Sequence, residues 1–267
     1  MIGMPRLSII IVAYNIRVDL ERCLQSLVTH KPRVDHEVLV VDNASTDDTV
    51  ATLRARWPGV RLIEAGSNVG FSKANNIGIR QSFGELVLLL NGDTVVPASA
   101  IDALVAVLDR RPDVAVVGPR LVDALGRAEL SFGRMITPLN EVRQKLRARG
   151  NVERLTSTER EVDWVSGACL LVRRADAEAV GLLDERFFMY TEDVDFCAAV
   201  RARGRKVLFT PAARIVHARG RSRQTAPRAA EAAYRASQLA FYEKHHPRWA
   251  PILRLYLRVR RRLPDNR

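Results

Sequence analysis

The segment ELVLLLNGDT runs five apolar residues directly into Asn91, Gly92 and Asp93. A carboxylate at the end of a buried strand can bind a divalent cation, because hard cations prefer oxygen ligands. An Asn-Gly pair is also typical of a hairpin turn, but no alternating strand follows it here. Two further apolar runs end in polar residues, at Tyr14 and at Asp42. The pattern therefore favours a binding site shared by several strand ends.

The segment TEDVDFCAAVRARG places three carboxylates, Glu192, Asp193 and Asp195, in the first turn of a predicted helix. A carboxylate can act as a general base that takes a proton from an attacking hydroxyl group. Acidic residues in a first helical turn also stabilise the helix by interacting with its dipole. The residues alone leave both interpretations open. His217 closes a later apolar run, and a lone histidine at a strand end is more often structural than a ligand.

The elements that must position these residues alternate regularly over the first 120 residues. Apolar runs at 7–14, 36–41, 61–65 and 86–90 predict strands, and the segments between them carry apolar residues at helical spacing. This alternation predicts an α/β fold with a Rossmann-like, mostly parallel sheet and helices on both faces. Such sheets bind ligands at the carboxyl ends of their strands, which is where the polar residues fall.

The second half of the chain is less regular. Residues 124–158 form a basic, irregular stretch that predicts a flexible loop or a segment facing a second substrate. The remaining predicted elements are a strand over 163–173, a helix capped by Thr191, short strands over 206–210 and 214–217, and a helix over 227–246.

The composition limits the kinds of protein that this chain can be. Of its 267 residues, 47% are hydrophobic, which supports a sizeable core. The net charge of +12 indicates an anionic partner such as nucleic acid, a membrane surface or a phosphorylated substrate, or else an arginine-rich proteome. Three isolated cysteines indicate buried thiols in a reducing compartment. Because the sequence has neither a signal-peptide layout nor an apolar run near the ~20 residues of a membrane span, we expect a cytoplasmic protein.

Several common nucleotide-binding and hydrolytic motifs are missing from the sequence. It contains no G-x-G-x-x-G, no G-x-x-x-x-G-K-[ST] and no G-x-S-x-G. These absences weaken assignment to a dinucleotide-dependent oxidoreductase, a P-loop NTPase or an α/β-hydrolase. The carboxylates at strand and helix ends remain as the candidate chemistry.

Seven segments resemble, in order, those of inverting glycosyltransferases of family 2. They are LSIIIVAYN, VLVVDNASTDDT, NVGFSKANNIGI, LLLNGDT, WVSGACLLVRR, FFMYTEDVDFC and IVH. The resemblance covers Leu7 to about His217, roughly four fifths of the chain. It implies a GT-A fold and is strongest to bacterial rhamnosyltransferase-type members, which take dTDP-L-rhamnose. On this basis we expect a GT-A domain over 1–225 and a C-terminal helical extension over 226–267.

The resemblance implies where the nucleotide of the donor would bind. Asp42 would accept hydrogen bonds from the base or the ribose, beside Ala13, Tyr14 and Asn15. The alternative is that Asp42 only caps the turn that follows it. Three further matches, Asn68, Gly70 and Asn75, would shape the nucleotide-sugar pocket, although loop and helix-cap chemistry explains them equally well.

The resemblance also implies a metal site. Asn91, Gly92 and Asp93 occupy the position of the family's DxD motif, in which Asp93 would bind Mg²⁺ or Mn²⁺ on the diphosphate. Asn91 replaces the first aspartate, which removes one anionic ligand. His217 matches a later histidine that is a metal ligand in the family.

For the transfer step, the resemblance points to Glu192 and Asp193 as the family's ED motif. Asp193 would be the general base, and Glu192 would help to position the acceptor. Trp164, Ser166 and Gly167 match the segment that lines the acceptor side, where small residues permit a sugar to approach the backbone closely.

The tail from Arg248 to Leu263 predicts a basic amphipathic helix. Its apolar residues at helical spacing are Trp249, Ile252, Leu253, Tyr256 and Leu263. Such a helix suits anionic lipid headgroups, but it could instead dock its apolar stripe on the body of the enzyme. The resemblance favours the membrane, because related enzymes often use polyprenyl-diphosphate-linked acceptors.

Together these features predict an inverting, metal-dependent glycosyltransferase that acts on a glycan or a polyprenyl-diphosphate-linked acceptor. We expect it in the cytoplasm, either free or attached peripherally to the inner face of the cell membrane, and we expect it to bind no nucleic acid. A sugar-1-phosphate nucleotidyltransferase is disfavoured, because no glycine-rich basic loop follows the first strand. A nucleic-acid-binding protein would explain the charge but not carboxylates at three strand or helix ends.

Overall fold

The computed structural model describes residues 4–137, 152–218 and 227–260. The strands in these ranges are β1 Leu7–Ala13, β2 His36–Asp42, β3 Arg61–Glu64, β4 Leu86–Asn91, β5 Thr94–Val95, β6 Val114–Val122, β7 Ala128–Glu129, β8 Phe132–Gly133, β9 Arg160–Val162, β10 Trp164–Val165, β11 Cys169–Arg173 and β12 Lys206–His217. The helices are α1 Arg17–Thr29, α2 Thr49–Arg56, α3 Phe71–Gln81, α4 Ala100–Arg110, α5 Val152–Leu155, α6 Arg174–Ala179, α7 Glu192–Ala202, α8 Pro227–His245 and α9 Ala250–Val259.

The main sheet follows the order β3-β2-β1-β4-β11-β6-β12-β5, with β7 paired to β6 and β9 paired to β12. Strand β1 runs parallel to β2 and β4, and β12 runs parallel to β6. Strand β11 is antiparallel to both of its neighbours, β4 and β6. The predicted mostly parallel sheet is thus confirmed. Since β11 is reversed, its first residue lies at the same edge as the last residues of β1, β2, β4 and β12.

The central strands β1 and β4 are buried on both faces, as their continuous apolar runs predict, whereas the edge strand β3 is partly exposed. Successive residues of β4 enter opposite clusters, so that Leu88 packs with Leu104 of α4 and Leu89 packs with Ile79 of α3. Each fully buried leucine contributes about 1.5–3 kcal/mol relative to an exposed one. The three cysteines are buried in these layers, as predicted.

Two predicted strand boundaries are wrong. The single strand expected over 163–173 is split into β10 and β11, because residues 166–168 turn between two different sheets. The two short strands expected over 206–217 form one strand, β12, whose register against β6 shifts between Thr210 and Arg214. In the stretch expected to be irregular, the described residues contain short strands, and residues 138–151 lie outside the described ranges.

The two C-terminal helices pack against the rest of the protein. Phe241 of α8 and Ala250 of α9 share an apolar cluster with Phe187 and with Val194 of α7. The expected boundary near residue 225 lies outside the described residues. None of the helices within the described ranges has both the length and the apolar character needed to cross a bilayer.

Gly78 explains why a glycine occurs inside α3, where it costs about 1 kcal/mol relative to alanine. A Cβ atom at this position would lie 2.6 Å from Cγ2 of Ile10 and 3.1 Å from Cγ2 of Val41. The absence of a side chain therefore lets α3 pack closely on β1 and β2, which carry part of the candidate site at their ends.

We predict that Gly78→Val lowers the free energy of unfolding by about 1–3 kcal/mol, because the added methyl groups overpack the α3–sheet contact. Urea denaturation would measure the change. Gly59→Val is the matched control, since no atom lies within 4 Å of a Cβ at Gly59, and it should change stability by less than about 0.5 kcal/mol. Equal losses in the two variants would contradict the packing argument.

Candidate functional site

Five polar segments meet at one edge of the main sheet, where β1, β2, β4 and β12 end and β11 begins. The first two carry Tyr14 and Asp42, the third carries Asp93, and the fourth carries His217. Gly167 precedes β11 and contacts the first turn of α7. The polar ends singled out in the sequence are therefore brought together by the parallel pairing.

The side chain of Asp42 is buried, with 3% exposure, and only one of its two carboxylate oxygens is hydrogen-bonded to a described residue. Its Oδ2 accepts a hydrogen bond from the backbone N–H of Ser45 at 3.1 Å. Its Oδ1 is buried and has no hydrogen-bond partner among the described residues. The turn-capping alternative thus accounts for one oxygen only. The other is available to a ligand hydroxyl or N–H group, because a buried acceptor is costly to leave unpaired.

Residues 13–15 form the adjoining wall. Ala13 ends β1 and accepts the backbone N–H of Asn43 at 2.8 Å. Tyr14 is 46% exposed, so its ring is available for contact with a ligand. Asn15 has a φ of 52° and its Oδ1 accepts the backbone N–H of Thr46 at 2.7 Å. Asn15 therefore ties two loops together.

The three further residues of the predicted pocket have distinct roles. Asn68 accepts hydrogen bonds at Oδ1 from the side chain of Asn43 at 2.9 Å and from the backbone of Gly70 at 3.2 Å. Gly70 has a φ of 84°, and a Cβ there would lie 2.6 Å from the carbonyl oxygen of Phe188. Asn75 is buried and donates to the carbonyl of Phe71 at 2.9 Å. Gly70 thus joins the loop that contains Asn68 to the segment that leads into Glu192.

Asp93 and His217 meet although they are distant in the sequence. Strand β5 pairs with the end of β12, with Thr94 opposite His217. The Nε2 atom of His217 lies 3.3 Å from Oδ1 of Asp93, and both side chains are at most 15% exposed. An oxygen and an imidazole nitrogen at this spacing fit a shared divalent cation. Within the described ranges, no cluster of three or more His, Cys, Asp or Glu side chains forms a metal site, so further ligands would come from the donor and water.

The two residues before Asp93 set its position. The backbone N–H of Asn91 donates to the carbonyl of Ala168 at 2.9 Å, which holds the end of β4 against the start of β11. A Cβ at Gly92 would lie 2.5 Å from Cδ1 of Ile16. The lack of a side chain at Gly92 therefore lets Ile16 of the β1–α1 loop pack directly on the end of β4.

Sequence reasoning missed Glu129, which lies beside the Asp93–His217 pair. Its Oε2 is 3.8 Å from Nδ1 of His217. A carboxylate on the far nitrogen of a histidine commonly fixes its orientation towards a metal. Glu129 comes from β7, a two-residue strand in a segment without periodicity, so no local signal identifies it.

Glu192, which is buried, and Asp193, which is partly exposed, form an acidic pair at the start of α7. Asp193 Oδ2 accepts the backbone N–H of Gly167 at 2.8 Å, and its Oδ1 accepts the N–H of Val194 at 2.8 Å. Burial raises the pKa of Asp193 despite these hydrogen bonds. Glu192 is 6% exposed, and its Oε2 has no hydrogen-bond partner among the described residues. Burial and the adjacent charge of Asp193 raise the pKa of Glu192 well above its ordinary value.

The backbone leading into this pair is strained. Tyr190 and Thr191 both have left-handed φ angles, 74° and 64°, at a cost of order 1–3 kcal/mol each. Thr191 occupies the N-cap position, as predicted, but its side chain caps no backbone N–H. Its hydroxyl instead donates to the carbonyl of Ser237 at 3.3 Å. The predicted capping interaction is therefore wrong, because α8 competes for the hydroxyl.

Helix α8 supports the strained segment, and the sequence did not predict this support. Ser237 donates its hydroxyl to the carbonyl of Met189 at 2.8 Å. Asp195, which is 2% exposed, contacts Lys244 Nζ at 2.8 Å and His245 Nε2 at 2.6 Å. The third carboxylate of the acidic turn is thus engaged in holding α7 to α8.

The predicted acceptor-side residues line the remaining wall. Trp164 is half-buried and donates its indole N–H to the carbonyl of Arg134 at 2.9 Å. The backbone N–H of Ser166 donates to the carbonyl of Ser131 at 2.8 Å. A Cβ at Gly167 would lie 3.4 Å from Cβ of Asp193. A side chain at Gly167 would crowd the approach to this carboxylate.

Comparison with known proteins identifies relatives across the whole chain. The chain is 33% identical to the N-acetylglucosaminyl-diphospho-decaprenol L-rhamnosyltransferase of Mycobacterium tuberculosis over 296 aligned residues, covering 98% of this chain and 95% of the relative. It is 29% identical to the dTDP-rhamnosyl transferase RfbF of Shigella flexneri, covering 79% of this chain and 68% of that protein.

The fold also matches solved structures. The mannosyltransferase PcManGT of Pyrobaculum calidifontis, in complex with GDP-Man and Mn²⁺, superposes with a TM-score of 0.64 at 21% identity, over 94% of this chain and 69% of that one. This likeness confirms the expected GT-A fold. Residues 5–251 match the family described as Glycosyltransferase like family 2. The chain therefore belongs to glycosyltransferase family 2 and is a glycosyltransferase.

Proposed function

We propose that this glycosyltransferase moves L-rhamnose from dTDP-rhamnose to a glycan or polyprenyl-diphosphate-linked acceptor, with inversion at the anomeric carbon. The names of the two rhamnosyl-transferring relatives support the sugar, the nucleotide and the lipid-linked acceptor. The observation that carries the proposal is one sheet edge that holds an unpaired buried oxygen of Asp42, the Asp93–His217 pair and the Glu192–Asp193 pair. In the proposed reaction, Asp42 would bind the nucleoside, the Asp93–His217 pair would hold the cation at the diphosphate, and the Glu192–Asp193 pair would act on the acceptor hydroxyl.

The donor would lie along the ends of β1, β2 and β4. Oδ1 of Asp42 would accept a hydrogen bond from the base or the ribose, and the exposed ring of Tyr14 would contact the nucleoside. Asp93 and His217 would hold Mg²⁺ or Mn²⁺ at the diphosphate. When bound, the cation neutralises the negative charge of the leaving nucleoside diphosphate.

Asp193 would be the general base. Two backbone N–H groups fix its carboxylate beside Gly167, where the lack of a side chain leaves room for an acceptor hydroxyl. As the acceptor oxygen bonds to the anomeric carbon, its proton passes to Asp193 and the bond to the diphosphate oxygen breaks on the opposite side. A single displacement of this kind inverts the anomeric configuration.

The environments of the two carboxylates favour different protonation states. Asp193 has backbone N–H groups that stabilise its ionised form. The pKa of Glu192 is raised by burial and further by the charge of Asp193. A proton shared by the pair is therefore held mainly by Glu192, which leaves Asp193 ionised as the base. Neutral Glu192 would donate a hydrogen bond that positions the acceptor.

We predict that Asp193→Asn lowers kcat for transfer from dTDP-rhamnose to a polyprenyl-diphosphate-linked acceptor roughly 10²-fold or more. The amide keeps the shape of the side chain but cannot accept the proton. Donor binding, measured by calorimetry, should be nearly unchanged. Glu178→Gln, at an exposed carboxylate of α6, is the matched control and should keep full activity. If Glu192→Gln lowers kcat more than Asp193→Asn does, Glu192 is the general base and Asp193 positions the acceptor.

The raised pKa of Asp193 predicts the pH dependence of transfer. The base works only when ionised, so the rate is full above its raised pKa and falls as the pH decreases through that pKa. We expect an acidic limb in the kcat profile above the ordinary aspartate range, which lies near pH 4. Glu192→Gln should retain this limb. A limb within the ordinary range, or its disappearance in Glu192→Gln, would contradict the assignment.

We predict that Asp93→Ala removes the Mn²⁺-dependent part of dTDP binding and abolishes transfer, because His217 alone is a poor site for a divalent cation. Calorimetric titration with dTDP, with and without Mn²⁺, would measure the loss. The melting temperature without ligand should stay close to that of the wild type. If the variant binds dTDP with the same Mn²⁺ dependence as the wild type, Asp93 is not a metal ligand.

A further inference from the structure

Helix α9 has apolar side chains on two opposite faces. The inward face carries Leu257, which is fully buried, and Ala250, which is 7% exposed. The outward face consists of Trp249, Ile252, Leu255, Tyr256 and Val259, which are 49–75% exposed. The inward face already packs on the protein, so the body of the enzyme does not cover the outward one. Docking on the body, which the sequence left open, therefore explains only half of this helix.

The outward face is bordered by positive charge. Arg248, Arg254, Arg258 and Arg260 are exposed, and residues 248–260 include no acidic side chain. Arg254 pairs with Glu243 of α8, and the guanidinium group of Arg260 lies 5.7 Å from the centre of the Tyr256 ring. The combination of exposed Trp, Tyr and aliphatic side chains with flanking arginines suits the boundary between anionic headgroups and acyl chains.

We propose that the outward face of α9 docks on an anionic membrane surface. A second copy of the chain fits this face less well, because a symmetric contact would bring the same arginines against each other. The net charge of +12 also favours an anionic partner. Nucleic acid would engage the arginines but leave the five apolar side chains in water. Residues 261–263, which complete the amphipathic tail predicted from the sequence, lie outside the described residues.

The position of α9 gives this docking a use in the proposed reaction. Leu253 and Ala250 of α9 join a cluster that also contains Val194 of α7, next to Asp193, and Trp164 of the acceptor side. A membrane against α9 would therefore lie beside the wall where a lipid-linked acceptor enters. The binding itself rests on α9 alone, whereas its use in catalysis rests on the proposed function.

Vesicle sedimentation of the full chain tests the proposal. The variant Ile252→Ser/Leu255→Ser/Val259→Ser removes apolar area from the outward face without touching a buried residue. Val28→Ser/Phe83→Ser/Leu125→Ser is the matched control, since these side chains are 58–77% exposed and lie elsewhere on the protein. Circular dichroism and melting temperature would establish that both variants are folded.

With vesicles of phosphatidylglycerol and phosphatidylcholine, we expect the wild type and the control to sediment alike. The outward-face variant should bind roughly 10-fold or more weakly. Binding of the wild type should also fall with added salt and on pure phosphatidylcholine, because the arginine contribution is screened or lost. Equal sedimentation of all three proteins, or equal binding to neutral vesicles, would overturn the proposal. One further result would also overturn the proposal. In it, the wild type dimerises in ultracentrifugation, and the outward-face variant no longer dimerises but still binds vesicles.

Failure of this inference can be separated from failure of the proposed function. Hydrolysis of dTDP-rhamnose in the absence of vesicles reports on the donor site and should be the same in all three proteins. If the wild type binds vesicles but does not hydrolyse dTDP-rhamnose, the membrane-binding inference is supported and the proposed donor is wrong. If it uses the donor but none of the proteins sediments with vesicles, the membrane surface fails and the donor stands.

Discussion

The antiparallel pairing of β11 with β4 is the contact on which the site depends. It sets Cys169 opposite Leu90, and the N–H of Asn91 donates to the carbonyl of Ala168. A strand that follows the parallel units is thereby inserted in reverse, so that its first residues lie at the edge that carries the candidate site. Gly167 then stands one residue from that contact and donates its backbone N–H to Asp193. One reversed strand thus joins the Asp93–His217 side of the edge to the acidic pair.

The acidic pair is held in place by interactions far from the sheet. Two left-handed residues turn the backbone into α7, and their strain of order 1–3 kcal/mol each must be offset by surrounding contacts. The hydroxyl of Ser237, the ion pairs of Asp195 and the buried ring of Phe241 provide these contacts from α8. Helix α8 is therefore part of the support of the acidic pair, although the last of the seven resembling segments ends before this helix begins.

The first half of the fold was predictable because its central strands, β1, β2 and β4, contain continuous apolar runs that end in polar residues. The run 86–90 is buried on both faces, and a strand buried in this way leaves a local pattern. Gly167 was identified through the resemblance. Three other contacts were not predicted from the sequence, because each joins residues that share no periodicity and lie far apart in the chain. They are the contact between Gly70 and Phe188, the approach of Glu129 to His217 and the ion pairs of Asp195. The split of the 163–173 strand was missed because small residues in a strand do not reveal a change of sheet.

The pairing of β5 with β12 has a consequence for synthesis of the chain. Asp93 follows the fourth strand to emerge from the ribosome, but its partner His217 ends the last strand of the sheet. The contacts of α8 on Asp195 are formed later still. A nascent chain therefore contains β1 to β4 and Asp42 long before the other half of the edge has been synthesised. The Asp42 side of the edge is thus translated first and the Asp93–His217 pair is completed last, so that premature termination before residue 217 yields a chain without that pair.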